Sequence, residues 1–569
     1  MLRNRNRQEQ CSNMNLQLPV RKKITNSSFN TRPDAVRVWV DELPLINPEK
    51  SRKLLEHALL QINQLSITSS DRYETLELLA TSAICVADAM KRVFLAKPIP
   101  LRGNNLSLAT QTAELYNQMA TGYRILVDDA GDDDSQNFYL TQAVHRSLRY
   151  LSEVLLTNYQ IYLQYPDGLW KTIHSLYALA EQHGITTIPV TDNTLSTPAT
   201  STISTVYKQV LLMSLACPYR LRQKEIHFVY NALLDWADIT RLYQMGDAET
   251  PGLFAVNLNA DYPPSYRVLN HNITQVQLWR ILDTTSMADR IRDTLDKQPG
   301  NGNRHIGIGD TNILQRLMLA WGVMPARRFA RHTKSAEVAL LVGLNAIHQH
   351  VMGPEGRSSG KEQANEEPRY LQDPTFEAAT TFRTTRSADD GQGIVTPEIA
   401  RTQQSRNKHN TVIPRIESWK MANISAGGYS LLWDSDDSSS AQVGELVAII
   451  EQDDLVGGEW QLGVVRWMKG TKAYGLELGI QMLSPNARAV WAYAEDTDLS
   501  VGGKVQGMLL PEIKMIQQPT SLLLPTLPFR AGSTTQLESA GSLQNIKLTR
   551  QLENTGRFAQ YHFSASISD

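Results

Sequence analysis

A short segment with three arginines is the first candidate for ligand chemistry. It reads PARRFARH from Pro325 and carries Arg327, Arg328 and Arg331. A guanidinium group presents a rigid fork of donors that binds a phosphate through two parallel hydrogen bonds, and its flat face stacks on aromatic rings. Arginines at this spacing are common by chance, so the segment alone also fits a solvated cluster in a linker or at a helix end.

The second candidate is a polar turn. It reads Asn423-Ile-Ser425-Ala-Gly427-Gly428, an Asn-x-Ser-x-x-Gly sequence between two predicted strands. Asn, Ser and Gly are typical turn residues, so the turn alone predicts only a reversal of the chain. Gly428 permits the positive φ and the close backbone approach that a tight turn requires.

The elements around this turn predict a small β structure. Five apolar runs bounded by Gly, Asn and Asp indicate an antiparallel β-barrel or sandwich: IESWKMANIS, GGYSLLW, VGELVAIIE, EWQLGVVRWM and YGLELGIQML. A strand-like run rich in branched residues, Ala336 to Ile347, precedes them. The polar stretch 353–410 lies between this run and the five later ones. It has too few apolar residues to offset the entropy lost on ordering, so it is predicted to be a disordered insertion.

The whole chain is predicted to be a multidomain α+β protein. Its 569 residues are too many for one hydrophobic core. In the first part of the chain, apolar residues at three- and four-residue intervals predict successive helices, and no segment there is a convincing strand. Such an all-α region is suited to binding a protein partner. The expected order is a basic flexible tail, this helical domain, a mixed α/β connector, the β-barrel and a C-terminal β module, at residues 1–40, 41–245, 246–324, 325–495 and 500–569.

Together, the arginine segment, the turn and the strands GELVAII, LGVVRWM and GLELGIQML resemble the PilZ family of cyclic di-GMP receptors. In that family an Arg-x-x-x-Arg element precedes the first barrel strand, and an Asp/Asn-x-Ser-x-x-Gly loop follows later. The resemblance covers about Met324 to Ala494. The polar insertion would then split the barrel between its first strand and the later ones, which departs from the compact form of the family.

The resemblance implies a site for cyclic di-GMP, which has two phosphates and two guanines. Arginine forks would meet a phosphate or guanine O6 and N7, the Asn amide oxygen would face guanine donors, and the Ser hydroxyl would contact a base or a phosphate. Asn is neutral where an Asp would be charged, so a modest affinity is expected. The implied ligand-binding residues are Arg327, Arg328, Arg331, Asn423, Ser425 and Gly428. Arg466 is a further basic candidate, although a cross-strand pair with Glu477 is as ordinary an expectation.

The function implied is that of a bacterial receptor or adaptor that passes the level of cyclic di-GMP to an unidentified protein partner through the helical region. Motility, pili or biofilm would be the output. No catalytic residue, cofactor or metal is expected, and the GGDEF, EAL and HD signatures of enzymes that make or degrade cyclic di-GMP are absent from the sequence. The main alternative is a PilZ-like adaptor that binds protein partners without nucleotide. Nucleic-acid binding through the basic N-terminus is a weaker third possibility.

Composition limits the remaining classes. A formal net charge of −2 creates no global field that would attract nucleic acid or anionic lipid. The sequence has no apolar run near the roughly 20 residues of a membrane helix, and no apolar segment follows its basic N-terminus, so a cytoplasmic protein without a membrane span is expected. The three cysteines lie too far apart for a metal or disulfide framework.

Three other features are interpreted as structural. An acidic run lacks the spacing and the distal Glu of a calcium loop and is predicted to be an acidic interhelical loop. The glycines of Gly300 to Asp310 lack the Lys-Ser/Thr of a phosphate loop. Four aromatic residues have the spacing of core residues. The acidic residues are Asp128, Asp129, Asp132, Asp133 and Asp134, and the aromatic ones are Trp170, Tyr177, Tyr230 and Trp236.

Overall fold

The computed structural model of this chain consists of a helical region, a small mixed unit and two closed β-barrels. This confirms the predicted α+β class. The predicted insertion at 353–410 and the segment Gly300 to Asp310 lie outside the described residues. The residues that the structure describes are 18–22, 29–130, 137–192, 199–246, 251–270, 273, 275–296, 311–322, 332–352, 415–425, 427–452, 455, 459–471, 475–494, 503–513, 518–539 and 541–565.

Helices form most of the first region. Polar side chains cap several of them, which satisfies amide groups that have no partner within the helix. Asn47 Oδ1 accepts from the amide of Lys50 at 3.0 Å, and the hydroxyls of Thr68 and Thr202 accept from amides three residues later, both at 3.1 Å. The helices are α1 (Pro33–Asp41), α2 (Pro48–Gln64), α3 (Ser69–Phe94), α4 (Gly103–Ala130), α5 (Asn137–Gln160), α6 (Leu169–Gln182), α7 (Ile203–Leu215) and α8 (Gln223–Trp236).

This region departs from the sequence prediction at two places. A hairpin of β1 (Val190–Asp192) and β2 (Ala199–Ser201) interrupts the helices where no strand was expected. The C-terminal boundary of the flexible tail predicted for residues 1–40 is wrong, because α1 begins at Pro33 and its Val36 is completely buried. Helix α1 packs against α3, and that apolar contact orders the chain before residue 40.

A buried polar network holds the new hairpin. Arg146 on α5 donates to the two carboxylate oxygens of Glu77 at 3.0 and 3.2 Å, and it lies 3.4 Å from Asp192 of β1. The side chains of Arg146 and Asp192 are 3% and 5% exposed. Buried charges persist in folded proteins when they are paired in this way. The hairpin is therefore joined to α5 and α3 by charge as well as by packing.

His174 on α6 is buried with both ring nitrogens occupied. Nε2 lies 2.9 Å from the carbonyl oxygen of Tyr262, so it must donate there. Nδ1 then accepts from the Tyr207 hydroxyl at 2.7 Å. Burial lowers the pKa of His174 from 6.5 to about 4. The folded protein therefore holds this imidazole neutral.

The protein is expected to lose stability in acid because of His174. Between pH 6.5 and about 4 the unfolded chain binds a proton at this histidine that the folded chain does not. The contribution of neutral His174 to stability is therefore complete above pH 6.5 and decreases as the pH is lowered. In a His174→Gln variant the free energy of unfolding should change less with pH, by up to about 3 kcal/mol, since a shift of one pKa unit corresponds to about 1.36 kcal/mol. Urea denaturation from pH 4 to 7 measures this, with substitution of the exposed His57 as the control. Equal slopes for wild type and His174→Gln would contradict the prediction.

A small mixed unit follows the helical region. Its antiparallel sheet has the order β3-β6-β4-β5, and its two helices pack on each other. Trp321 is fully buried and donates from Nε1 to the carbonyl oxygen of Leu212 on α7 at 3.1 Å, which docks the unit on the helical region. The elements are β3 (Arg241–Gln244), β4 (Phe254–Asn257), β5 (Ser265–Tyr266), β6 (Trp279–Asp283), α9 (Thr285–Asp296) and α10 (Thr311–Gly322).

Six strands then close the first barrel, in the order β10-β11-β12-β9-β8-β7. They are β7 (His332–Val342), β8 (Glu417–Ser425), β9 (Gly428–Trp433), β10 (Leu446–Glu451), β11 (Gln461–Gly470) and β12 (Leu476–Ser484). Strand β7 lies before the predicted insertion and pairs with β8 and β10 after it, so the barrel is split as the sequence indicated. The strand predicted to reach Ile347 ends at Val342, because Gly343 has a φ of 94° and helix α11 (Leu344–Met352) begins after it.

Six further strands close a second barrel, in the order β13-β14-β15-β18-β17-β16. They are β13 (Arg488–Ala494), β14 (Lys504–Leu510), β15 (Ser521–Leu524), β16 (Thr534–Ser539), β17 (Ser542–Asn554) and β18 (Ala559–Ala565). The sequence prediction placed 488–494 in the first barrel, and this is wrong. Strand β13 pairs with β14 and β16, and its Val490 and Ala492 are completely buried with the core of the second barrel.

The regions share apolar cores and hydrogen bonds. One cluster of buried residues contains both Tyr162 of the helical region and Met468 of the first barrel, and another joins Leu446 of the first barrel to Phe558 of the second. Buried Glu417 accepts hydrogen bonds from Trp419, Ser439 and Ser440 at 2.7 to 3.1 Å. These bonds organise the β9–β10 loop where it meets the helical region.

Within the described residues, no helix combines the length and the apolar character that spanning a membrane requires.

Candidate ligand-binding site

The predicted polar turn is the tight link between β8 and β9 of the first barrel. Ser425 and Gly428 are paired residues at the ends of these strands, and the Ser425 hydroxyl donates to the Gly428 carbonyl oxygen at 3.2 Å. On the other side, the amide of Met482 in β12 donates to the Gly427 carbonyl oxygen at 3.1 Å. The turn is therefore held by its own serine and by a neighbouring strand.

Gly428 is required by this geometry. Its φ is 150°, a conformation that residues with a side chain rarely adopt. A Cβ at this position would lie 2.9 Å from the carbonyl carbon of Ile480 and closer still to its oxygen. The obstacle is backbone, which cannot turn aside as a flexible side chain can. The glycine of the motif thus sets how closely the turn approaches β12.

Asn423 lies two residues before Ser425 and between two irregularities of the sheet. The register of β8 with β7 shifts between Thr333 and Ala336, and its register with β9 shifts between Met421 and Asn423. Such bulges change the direction of nearby side chains. The Asn423 side chain is half-buried and forms no hydrogen bond with another described residue. Its amide has the polar groups to bind a ligand at this edge of the barrel.

Arg327, Arg328 and Arg331 lie outside the described residues. Their chain neighbour His332 is described and begins β7. In the register of β7 with β8, His332 is opposite Ile424 and Thr333 is opposite Asn423. Because consecutive Cα atoms are about 3.8 Å apart, the segment that carries the arginines is joined to the barrel directly beside the polar turn.

Two further polar contacts lie beside the turn. Lys334 of β7 forms an ion pair with Glu451 of β10. The Tyr429 hydroxyl, which follows Gly428, donates to Gln461 Oε1 at 2.6 Å, and burial raises the pKa of Tyr429, with Glu451 adding to the effect. The tyrosine therefore remains a neutral donor.

Arg466 has a partner that the sequence did not suggest. Its guanidinium binds both carboxylate oxygens of Glu553 in the second barrel, and its Nε donates to Gln481 Oε1 at 2.7 Å. The expected pair with Glu477 is wrong, because Glu477 accepts instead from the Ser430 hydroxyl at 2.7 Å. Residues 466 and 553 are 87 positions apart, and no local pattern marks them as a pair.

The features interpreted as structural have structural surroundings where they are described. Asp128 and Asp129 form ion pairs with Arg21, and Asp132, Asp133 and Asp134 lie outside the described residues. Within the described ranges, no group of three or more His, Cys, Asp or Glu is placed to hold a metal ion. The four predicted core aromatics are buried: Trp170, Tyr177, Tyr230 and Trp236.

Comparison with protein families defines the class of this protein. A family model described as "Cyclic-di-GMP receptor FimW, middle PilZ domain" matches residues 253–489, so the first barrel is that of a PilZ-domain protein, which confirms the resemblance. Models described as "Cyclic-di-GMP receptor FimW, N-terminal domain" and "FimW C-terminal beta-barrel domain" match residues 34–246 and 499–566. Three models, for the N-terminal, middle and C-terminal domains of FimW proteins, therefore match this chain one after another.

A curated relative agrees with the family models along almost the whole chain. It is the protein named "Cyclic-di-GMP receptor FimW" of Pseudomonas aeruginosa, with 28% identity over 581 aligned positions that cover 98% of this chain and 95% of the relative. No solved structure matches the chain at a significant level. The middle family model begins at 253 and thus includes most of the mixed unit, whereas the sequence prediction began the barrel domain at 325.

Proposed function

We propose that this protein is a receptor for cyclic di-GMP and that the ligand binds where the arginine segment meets the polar turn. The observation that carries the proposal is the register of the barrel, in which the first strand after the arginines places Thr333 opposite Asn423. The name of the Pseudomonas relative, a cyclic-di-GMP receptor, supports the same ligand. The proposed ligand-binding residues are Arg327, Arg328, Arg331, Asn423, Ser425 and Gly428.

Each proposed residue has a chemical role. The arginines would bind phosphates through two hydrogen bonds each or pair with guanine O6 and N7. The Asn423 amide oxygen would accept from guanine, and the Ser425 hydroxyl, which already donates to Gly428, retains its lone pairs as acceptors. Because Asn423 is neutral, its hydrogen bond is weaker than that of an aspartate, which favours a modest affinity.

The charges near the turn support the proposal that the arginine segment binds the phosphates. Lys334 is paired with Glu451, and Arg466 is paired with Glu553. Both cations already have a carboxylate partner, and Arg466 would have to give up a bidentate one to bind an anion. The cyclic dinucleotide is therefore expected to depend on Arg327, Arg328 and Arg331.

The output of the receptor would be a protein partner. The helical region is the proposed partner surface, and it contacts the barrel directly: Arg102 donates to the carbonyl oxygen of Ser435 at 2.6 Å, and Ser438 donates to that of Pro100 at 3.0 Å. In this proposal the protein acts in the cytoplasm by binding and not by catalysis, and it passes the second-messenger level to motility, pili or biofilm formation.

Calorimetry of the full chain tests the ligand. Cyclic di-GMP is expected to bind, and cyclic di-AMP to bind at least about tenfold more weakly, because adenine offers a donor where guanine offers the O6 acceptor. The two ligands have the same pair of phosphates, so the comparison isolates the bases. Equal affinities would contradict recognition of guanine. The absence of heat with either ligand would overturn the receptor proposal and favour the nucleotide-independent adaptor.

A further inference from the structure

The second barrel contributes a carboxylate to the side of the first barrel on which the polar turn lies. Glu553, near the end of β17, binds the Arg466 guanidinium through both oxygens, one of them at 2.8 Å. The two side chains are 20% and 33% exposed, so water screens the pair only partly. A bidentate contact of this kind fixes the orientation of the guanidinium as well as its charge.

Arg466 in turn contacts the strand that seats the turn. Its Nε donates to Gln481 of β12 at 2.7 Å. Gln481 is the residue opposite Gly428 in the register of β12 with β9, and the next residue, Met482, donates its amide to Gly427. A chain of hydrogen bonds thus runs from the second barrel to the strand segment that holds the two glycines.

The backbone around Arg466 favours this arrangement. The register of β11 with β12 shifts between Val465 and Trp467, so Arg466 is the extra residue of a bulge and its side chain is redirected. Trp467 lies over Gly479, where a Cβ would lie 2.7 Å from Cδ1 of its ring and closer still to Nε1. The tryptophan therefore fixes one side of the bulge while Glu553 fixes the side chain that the bulge presents.

Glu553 is itself held in place by the turn that follows it, residues 554–558, named here the junction turn. Arg557 forms an ion pair with Glu445 at 3.3 Å and donates to Gln442, both in the first barrel. A Cβ at Gly444 would lie 3.2 Å from the Thr555 carbonyl oxygen, so the junction turn packs closely there. Phe558 is 1% exposed in the apolar cluster between the barrels.

We infer that Glu553 is a positioning residue for the cyclic di-GMP site, acting through Arg466 and Gln481 on the edge that seats the polar turn. The inference rests on the proposed function. Without this carboxylate the guanidinium loses its bidentate partner and the orientation in which it holds Gln481. The turn then loses part of its support, and the ligand must supply the ordering that the second barrel supplies now.

The test is a double-mutant cycle in the full chain, with the Kd for cyclic di-GMP measured by calorimetry and the Tm measured in parallel. Glu553→Ala and Gln481→Ala are each expected to weaken binding by about five- to twentyfold. Because both act on one chain of contacts, the double variant should be little weaker than either single variant. Glu553→Gln keeps an acceptor for the guanidinium and should recover part of the affinity.

The control is Glu538→Ala, which removes an ion pair with Lys504 at 2.9 Å on the same barrel. It should leave the Kd unchanged, whatever it does to the Tm. An unchanged Kd in Glu553→Ala, additive effects in the double variant, or equal weakening in the control would each overturn the inference while the receptor proposal stands. Absence of binding by the wild type would overturn the receptor proposal itself and the inference with it.

Discussion

A Gly428→Ala variant is expected to be destabilised by about 2–6 kcal/mol and to lose cyclic di-GMP binding. The added Cβ would lie 2.9 Å from the carbonyl carbon of Ile480, and the residue would have to keep a φ of 150°. Overpacking against backbone typically costs about 1–3 kcal/mol, and an unfavourable φ about 1–3 kcal/mol more. The turn can avoid the clash only by leaving β12. The free energy of unfolding from urea titration measures the first effect, and calorimetry measures the second.

The matched control for this variant is Gly503→Ala. A Cβ at Gly503 meets no atom within 4 Å, and its φ is not in the positive range. The control should therefore fold and bind as the wild type does. If Gly428→Ala were as stable as the wild type and kept its Kd, the close approach of the turn to β12 would not be needed for the site.

Substitution of the arginines is expected to have the largest effect on binding. Arg327→Ala and Arg331→Ala should each weaken cyclic di-GMP binding by about 10- to 100-fold, because a hydrogen bond to a charged group contributes about 1.5–3 kcal/mol. The double variant, with both arginines replaced by alanine, should give no measurable heat of cyclic di-GMP binding. Lysine at either position keeps the charge and loses the fork, so it should restore only part of the affinity. Calorimetry with cyclic di-GMP gives all of these values.

Arg292→Ala is the matched control for the arginine variants. Arg292 lies on α9 with its side chain 58% exposed and forms an ion pair only three residues away, with Asp289. Its loss should change neither the fold nor the Kd, since exposed pairs contribute little. Wild-type affinity in Arg327→Ala or Arg331→Ala would show that the ligand, if it binds, does so without the arginine segment.

Local pattern was enough to predict most of the elements but not the partners of every strand. Alternating apolar residues marked β8 to β12, and helical spacing marked α2 to α6 and α8. The sequence RAVWAYA lies within the bounds predicted for the first barrel, residues 325–495. Its pairing with β14 and β16 depends on residues further along the chain, which local periodicity does not report. The same limit applies to α11, where one glycine at positive φ ends the strand.

The site shows a similar division. The turn that carries Asn423, Ser425 and Gly428 was predicted from its residue types and spacing, because a tight turn concentrates its requirements in a few neighbouring residues. The contact between Arg466 and Glu553 was missed, since it depends on how two barrels dock and not on any short motif. A cross-strand pair with Glu477 was one of two alternatives for Arg466, and the bulge at Arg466 directs the side chain elsewhere.

The split of the first barrel has a consequence for its biosynthesis. Strand β7 has both of its neighbours, β8 and β10, later in the chain, and β8 begins at Glu417. At about 5–20 residues per second, a ribosome needs roughly 4 to 15 seconds to pass from the end of β7 to the start of β8. During that interval the nascent chain exposes an unpaired apolar strand, the kind of edge that invites association with other chains. Since Glu553 lies in β17 and emerges later still, the edge that seats the polar turn would gain its contact with the second barrel only after both barrels have been synthesised.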